Sequence, residues 1–463
     1  MFTNKSKFLL DNPTQLNYGI AVTDVDGDGS FELFVASFSG PNLVLKYNGE
    51  GFVDIADTTL ADTQCRAIGV AAGDIDGDGR EEIYVLNATT SFDGKQFGNF
   101  AGQGKDCSDR LFDYRDGKWV DLFSLPENQG VLNQGVGRSV ICLDRQGNGK
   151  YGFFVTNYGE PMRLYELDEK GRLVDMAPAA GLNLMTKGRS IIALPLVSQR
   201  MDIYAVNEEG ANFLFRNRGD GTFREMAEAA GVSDRYENGR GLVSLDVDGD
   251  GRFDLVYGNW EGPHRMYLQT EPGHFHEVAP AEMAVPSRIR TIIAADFDND
   301  GYEELFFNNI GEPNRLFARQ QGSWSRVDIG DAWEPDGWGT GAAVADLDED
   351  GQLALFVAHG ESVAQPLTLY SPSQSSNSWL RVLPLTSQGA PARGAKVTLV
   401  GEKRSQQRAI DAGSGYLCQM EPVAHFGLGD EQIVKKVEVY WSDGATVTID
   451  CPETEQVLRI SHP

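Results

Sequence analysis

The sequence is poor in positive charge. Its 463 residues hold 40 lysines and arginines against 68 aspartates and glutamates, which gives a net charge of −28 at pH 7. Because binding to phosphates needs a basic surface, this balance argues against nucleic acid as a partner. The chain also lacks any apolar run of roughly 18 residues, so we expect no transmembrane segment.

The N-terminal residues lack the apolar core of a secretory signal peptide. Their only apolar stretch, around Phe8, is a few residues long, whereas a signal peptide needs about 7 to 15. We therefore expect no signal peptide in this chain.

Residues that carry catalysis are also scarce. The six histidines are scattered, and the five cysteines show no metal-ligand spacing. No Gly-x-Ser-x-Gly motif and no P-loop is present. These absences predict a protein that is not an enzyme.

What the sequence does have is one acidic loop in four complete copies. Each copy carries carboxylates at positions 1, 3, 5 and 9, and such crowded negative charge calls for a hard cation. Calcium takes about six to eight oxygen ligands at flexible geometry, so these loops predict four calcium sites. The residue type at position 7 varies between the loops. We expect only the backbone carbonyl of this residue to bind the ion, so its side chain is free to differ. The candidate ligands are Asp24, Asp26, Asp28, Ser30 and Glu32; Asp74, Asp76, Asp78, Arg80 and Glu82; Asp246, Asp248, Asp250, Arg252 and Asp254; and Asp296, Asp298, Asp300, Tyr302 and Glu304.

A fifth loop is incomplete. It has Asp346, Asp348 and Asp350, but Ala354 replaces the last acid, so a fifth ion would have fewer ligands.

The loops are not EF-hands, because an EF-hand needs Glu at position 12. That position holds Val35, Val85, Tyr257 and Phe307. The other alternative, an acidic hairpin turn without metal, does not explain why the acids repeat in register.

The spacing of the loops predicts the fold. Their first acids stand at 24, 74, 246, 296 and 346, a period of 50 residues within each group, which is typical of propeller blades. A decayed copy at Asp144 and the stretch 188–207 fill the gap, making seven repeats. Each repeat has four short apolar runs separated by turns, which predicts four antiparallel strands. We therefore expect an all-β fold, with a seven-bladed β-propeller over residues 1–375.

Two further features concern the ends of the propeller. The last repeat lacks a fourth strand, and the segment around Phe8 is predicted to supply it. After a serine-rich linker the period stops, and alternating apolar residues predict a small, β-sandwich-like module over residues 376–463.

Propeller geometry sorts the loops onto two faces. Loops between strands 1 and 2 carry the metal sites, whereas loops between strands 2 and 3 and between blades lie on the opposite face. That second face is predicted to hold Trp260, His264, Trp333 and Trp338, and a large insertion at residues 89–109. We expect it to contact a protein or glycan partner. Two cysteines also lie there in neighbouring blades, either as a disulfide or as two free thiols: Cys65 and Cys107.

Four arginines recur at intervals of 51, 51 and 50 residues, each at the start of an innermost strand. They would line one arc of the central channel mouth, where they could bind a carboxylate or another anion. The alternative is that they pair with local acids such as Glu237 and Glu334. The four are Arg138, Arg189, Arg240 and Arg290.

The motifs resemble a known family. The repeats are similar to the integrin-type FG-GAP/VCBS propeller repeats that bind calcium. The last 80 or so residues resemble the UnbV/ASPIC module through Arg393-Gly-Ala-Lys-Val397, His425-Phe-Gly-Leu-Gly429 and Val437-Glu-Val-Tyr-Trp441. Together with Asn42-Leu-Val-Leu-Lys-Tyr47 and Gly258-Asn-Trp260, they resemble the cartilage acidic protein family. Animal members often add an EGF-like module, which is not seen before Pro463, so we expect a short form.

The resemblance implies a secreted, calcium-binding, non-enzymatic protein of adhesion or signalling. Weak calcium affinity, typical of extracellular modules, likewise favours an extracellular or periplasmic setting. We expect the calcium to be structural and the opposite face to bind a partner. The alternative is a small-molecule binder or an enzyme that uses the central channel and its arginines.

Overall fold

A computed structural model describes residues 1–88, 91–92, 95–96, 107–133, 135–320, 322–413, 416–431 and 433–463. Most of the predicted insertion at residues 89–109 therefore lies outside the described residues.

The chain begins with a short strand, and the first complete sheet follows it. β1 (Phe2–Asn4) precedes β2 (Asn17–Thr23), β3 (Glu32–Ser37), β4 (Leu43–Tyr47) and β5 (Phe52–Asp54), of which β2 to β5 pair in order as an antiparallel sheet. The acidic loop joins β2 to β3. Its turn uses Gly27 and Gly29, whose φ angles of 79° and 90° suit only glycine without strain.

Five more sheets repeat this order along the chain. The second has β6 (Ala67–Gly73), β7 (Glu82–Asn87), β10 (Arg110–Arg115) and β11 (Lys118–Asp121), with a ribbon of β8 (Ser91–Phe92) and β9 (Lys95–Gln96) between. The third and fourth have β12 (Gly137–Leu143), β13 (Gly152–Pro161), β14 (Arg163–Leu167), β15 (Leu173–Asp175), β16 (Met185–Leu194), β17 (Asp202–Asn207), β18 (Phe213–Asn217) and β19 (Phe223–Glu225). The fifth and sixth have β20 (Gly239–Leu245), β21 (Asp254–Asn259), β22 (Arg265–Glu271), β23 (His274–Glu277), β24 (Ile289–Ala295), β25 (Glu304–Asn309), β26 (Arg315–Gln320) and β27 (Ser323–Val327).

The seventh sheet combines the two ends of this region. It contains β28 (Gly339–Ala345), β29 (Ala354–His359) and β30 (Thr368–Pro372), and β1 pairs with β30 as its fourth strand. The predicted strand around Phe8 was wrong, because Ser6–Phe8 forms a 3-10 turn and Phe8 is 38% exposed. The strand lies earlier because the ring of Phe2 is the one that packs inside, 4.8 Å from that of Phe297.

Within the described residues, these four-stranded units form a closed ring, and pairing of β13 with β16 joins the third and fourth into one eight-stranded sheet. Each first strand packs against the first strand of the next sheet, from β2 through β6, β12, β16, β20 and β24 to β28, and β28 packs against β2. Helical structure consists of short turns. These are α1 (Thr58–Ala61), α2 (Ala177–Ala180), α3 (Ala227–Ala230), and 3-10 turns at Ser6–Phe8, Leu122–Ser124, Pro126–Val131 and Asp331–Trp333. The prediction of an all-β propeller fold is confirmed.

The C-terminal residues form a separate pair of sheets. Their strands are β31 (Ser378–Leu385), β32 (Lys396–Gly401), β33 (Ser405–Ala409), β34 (Ala424–Gly429), β35 (Val434–Tyr440), β36 (Thr446–Asp450) and β37 (Val457–Ser461). One sheet has the order β34-β31-β37 and the other β33-β32-β35-β36. Leu380, Val397 and Phe426 are buried between them, which makes this C-terminal module a small sandwich.

Candidate metal centres and the channel mouth

In each complete loop, the acid at position 1 shapes the turn. Asp24 Oδ1 accepts a hydrogen bond from the Gly27 amide at 2.7 Å, and its Oδ2 accepts one from the Gly29 amide at 2.8 Å. Asp74 and Asp246 accept equivalent bonds. These bonds wrap the loop backbone around one carboxylate and bring the acids at positions 3 and 5 next to it.

The acid at position 9 locks the loop to the following strand. Glu32 Oε2 accepts a hydrogen bond from the Val25 amide at 2.7 Å, and Glu304 Oε2 accepts one from the Phe297 amide at 2.9 Å. The other oxygen differs between the loops. That of Glu32 lies 3.3 Å from the Lys46 ammonium. In the third loop both oxygens of Asp254 accept backbone amides, from Val247 at 2.8 Å and from Gln269 at 2.7 Å.

The donor sets fit calcium. The carboxylates of Asp74, Asp76 and Asp78 bring oxygens within 4.8 Å of one another, and the loops beginning at Asp24, Asp246 and Asp296 contain similar groups. Burial raises the pKa of Asp74 to about 6, and neighbouring acids add to the effect. Burial likewise raises the pKa of Asp296 to about 8. A dication would relieve both penalties, because it favours the charged carboxylates.

The second and first loops differ at one position on the third strand. Leu45 lies opposite Leu33, and Phe112 lies opposite Ile83, so the residues that follow, Lys46 and Asp113, occupy equivalent places. Asp113 adds a carboxylate to the group of Asp76 and Glu82. Lys46 instead places its ammonium 2.6 Å from Asp28 and 3.3 Å from Glu32. The second loop therefore gains an acid that the loop motif does not reveal, and this acid also pairs with Arg115. In the first loop the cation Lys46 contacts the predicted ligands themselves.

This difference predicts opposite effects of two substitutions. Asp113→Asn should weaken calcium binding at the second loop about tenfold, since supporting groups of metal sites typically contribute about 10- to 100-fold. Lys46→Met should strengthen binding at the first loop, because it removes a positive charge from the site. Calorimetric calcium titration measures both changes. Glu271→Gln, an exposed acid at the end of a third strand, is the matched control, and equal titration curves for all variants would contradict the assignment.

The fifth loop has a guanidinium beside its acids. Arg381 from the C-terminal module lies 3.1 Å from Asp346 and also pairs with Glu421, and all three side chains are buried. Calcium at Asp346, Asp348 and Asp350 remains a prediction, and any ion there would share these acids with Arg381.

The C-terminal module contacts the metal loops directly. The Gly427 amide donates to Asp296 Oδ2 at 3.1 Å, and His425 Nε2 lies 2.6 Å from Asn299 Oδ1. Arg459 donates to the Gly29 carbonyl at 2.8 Å. The metal face of the propeller is therefore covered, at least in part, by this module.

One segment of the module enters the ring. The Gln419 side chain bonds both the amide and the carbonyl of Ala72, at 2.7 and 2.9 Å, on the innermost strand β6. The Cys142 amide on β12 donates to the Ala412 carbonyl at 3.0 Å. The segment thus pairs with innermost strands from three sheets, since the Val22 amide on β2 also donates to the Gln419 carbonyl at 3.1 Å. We call its described residues, 411–413 and 416–421, the channel segment.

A buried ion pair anchors the module beside this segment. Arg393 binds both oxygens of Glu81, at 2.7 and 3.0 Å, and the two side chains are 0% and 2% exposed. Arg393 also donates to the carbonyls of Val22, Asp411 and Met420. Loop residue Glu81 lies just before the last acid of the second metal loop, so module docking and metal site share one short stretch of chain.

At the opposite end of the channel, the four predicted arginines come together. In β12, β16 and β24 the strand pairing shifts at Arg138, Arg189 and Arg290, so each arginine is the extra residue of a bulge. Bulges redirect a side chain, which explains why these arginines share one position. The alternative of pairing with acids is met for three of the arginines, but by acids other than Glu237 and Glu334. Arg189 and Arg240 pair with Glu208, and Arg290 pairs with Glu361.

Sequence reasoning missed Tyr416, the tip of the channel segment. Burial by itself raises the pKa of the Tyr416 hydroxyl. The positive charges of the four arginines lower the pKa by more than burial raises it, so its value is about 8. The Arg290 guanidinium lies 5.6 Å from the tyrosine ring centre. The tyrosine belongs to the module and the arginines to the propeller, so nothing in either sequence pattern connects them.

The residues predicted for the partner face differ in exposure. His264 is in the expected loop but is fully buried, with Nδ1 accepting from the Asn259 amide and Nε2 at 3.0 Å from Ser287 Oγ. Burial lowers its pKa to about 3, so it is a neutral packing residue and not a partner contact. Trp333 is 47% exposed, whereas Trp260 and Trp338 are partly buried. Cys65 and Cys107 form a disulfide with their Cα atoms 5.7 Å apart.

Comparison with known proteins agrees with this architecture. The family model described as FG-GAP-like repeat matches residues 24–85, 199–257, 246–307 and 296–357, and the model described as ASPIC and UnbV matches residues 385–463. Cartilage acidic protein 1 of Xenopus tropicalis is 49% identical over 98% of this chain and 74% of its own length. The chain belongs to the cartilage acidic protein family.

Mammalian members of the cartilage acidic protein family are almost as similar to this chain in sequence. The proteins of Mus musculus and Homo sapiens are both 46% identical over 98% of this chain, which covers 75% and 73% of their lengths. A solved structure of BBS1N in complex with ARL6DN covers 81% of this chain and 98% of its own, with 12% identity and a TM-score of 0.47. Such a likeness adds nothing to the identification.

Helices that could cross a membrane are not found among the described residues.

Proposed function

We propose that the chain is a secreted calcium-binding β-propeller that binds a protein partner through the face opposite its metal loops. In this proposal calcium stabilises the loops, and the chain is not an enzyme. The observation that carries the proposal is the covering of the metal face by the C-terminal module, which leaves the opposite face to a partner.

Exposed apolar side chains on that opposite face support the proposal. Tyr236 is 92% exposed and Trp333 47%, and both lie in connections that lead into innermost strands. Met185, which is 62% exposed, is the first residue of the innermost strand β16. Val285 and Val363, at 48% and 39%, lie in further loops on the same face. Exposed aromatic groups are typical energetic centres of protein interfaces.

An extracellular location is part of the proposal. The relatives carry the name cartilage acidic protein, and the Cys65–Cys107 disulfide suits an oxidising compartment. Open aspartate loops of this kind also suit calcium concentrations near 1 mM, which are found outside cells.

The partner face is tested by replacing its two exposed aromatics. The Tyr236→Asp/Trp333→Asp protein should bind a coat of cartilage extracellular-matrix proteins at least tenfold more weakly than the unmodified chain in 1 mM calcium, since each interface aromatic typically contributes about 1 kcal/mol or more. Ile433→Asp, on an exposed part of the C-terminal module, is the matched control. Treating the coat with glycosidases separates a protein from a glycan partner. Unchanged binding of the double variant would reject the partner face.

A further inference from the structure

Four positive charges at the channel mouth are only partly neutralised. Arg240 Nη2 lies 3.0 Å from Glu208 Oε1, and Arg189 pairs with the same glutamate. Arg290 lies 3.2 Å from Glu361. In the described part of the chain, Arg138 has no recorded carboxylate partner. Four guanidiniums against two carboxylates leave a net charge of +2.

These arginines are also buried with unused donors. The side chains of Arg240 and Arg290 are 5% and 7% exposed, and that of Arg189 is 11% exposed. The Nε atom of each of the four arginines is buried and has no hydrogen-bond partner among the residues that the structure describes. A buried donor without an acceptor is costly, so four at one place point to an acceptor that the protein itself does not supply.

Aromatic rings hold the arginines in place. Arg138 and Arg189 both lie 5.3 Å from the ring centre of Tyr158. Arg240 and Arg290 lie 5.5 and 4.3 Å from the ring centre of Trp260. Since guanidinium groups stack favourably on such rings, the charges are preorganised for a ligand, and little ordering is needed on binding.

We propose that Arg138, Arg189, Arg240 and Arg290, beside Tyr416, bind a doubly charged oxyanion group such as a sulfate, a phosphate or a dicarboxylate. A guanidinium matches the oxygens of such groups with two parallel hydrogen bonds. The net charge of +2 sets the preferred charge of the ligand. The site shares no residue with the pair replaced to test the partner face, because it consists of inward-facing strand residues and a tyrosine from the C-terminal module.

The ionisation of Tyr416 reports on the site. In chloride, one tyrosine should titrate with a pKa of about 8, measured by absorbance at 295 nm and identified by its loss in Tyr416→Phe. Sulfate, phosphate or malonate at 10 mM should raise this pKa by at least half a unit, because the bound anion offsets the arginines. A tyrosine that titrates identically with and without all three anions would overturn the proposal.

Calorimetry with the same three probes tests the arginines themselves. One anion should bind per chain, and Arg138→Gln/Arg290→Gln should weaken it at least tenfold. Arg288→Gln, which removes a half-exposed arginine next to the site, should bind as the unmodified chain does. Calcium-dependent melting shows whether each variant is folded, and Tyr416→Phe, which keeps all four arginines, should still bind. Retained binding in the folded double variant, or no saturable binding of any probe, would reject the site.

Discussion

In chelator, the protein is expected to melt about 10 °C lower than in 10 mM calcium. An ion that binds only the native state at 100 times its dissociation constant stabilises it by about 2.7 kcal/mol, so four such loops contribute about 11 kcal/mol. Unfolding entropy is about 2.1 cal/mol/K per residue, or about 1 kcal/mol/K for 463 residues. The ratio of the two gives the expected shift.

The physical reason lies in the loops themselves. Asp296 and Glu304 are buried, and burial raises the pKa of both carboxyls. Neighbouring acids add to the effect, and Arg408 offsets only part of it at Asp296. Without metal, these groups resist ionisation and loosen the turn that they shape. We expect bound calcium to restore the charged form and to join the two strands that the loop connects.

Differential scanning calorimetry in chelator, magnesium and calcium measures the effect. Asp298→Asn/Asp300→Asn should remove about a quarter of the calcium-induced shift, since it disables one of four loops. Glu169→Gln, an exposed acid outside the loops, should leave the shift unchanged. Identical melting in chelator and calcium would show that the loops are acidic turns without a metal.

Arg393→Met is expected to lower the free energy of unfolding by about 3–5 kcal/mol, the usual effect of removing one partner of a buried ion pair. Glu81 would remain buried with its charge uncompensated, and three backbone carbonyls would lose a donor. The module should consequently separate from the metal face, which makes the link between propeller and module more sensitive to protease.

Denaturant unfolding and limited proteolysis measure this effect. The double variant Arg393→Met/Glu81→Leu should recover most of the lost stability, because it removes both charges together. Arg459→Met provides the matched control, since Arg459 is exposed and donates to a loop carbonyl at 2.8 Å. If Arg393→Met were no more destabilising than this control, the ion pair would not anchor the module.

Much of the propeller could be predicted because its signals are local and repeated. The acids from Asp24 to Glu32 form the turn between two strands. The same set of acids recurs about 50 residues later, so the spacing between loops reveals the order of strands. Only the closing strand was misplaced. Phe8 and Leu10 are exposed although their segment resembles a strand, whereas Phe2 packs inside. A three-residue strand carries too few residues for a pattern.

The sequence by itself determined the repeated blades, the donor sets of the metal loops and the alignment of the four arginines, because each depends on residues close together in the chain. The tertiary structure decided how the C-terminal module covers the metal face, how Arg393 reaches Glu81 across 312 positions, and how Tyr416 comes to lie among the arginines. These contacts occur once and join distant segments. No sequence repeat predicts these contacts, and the burial that makes them strong exists only in the folded chain.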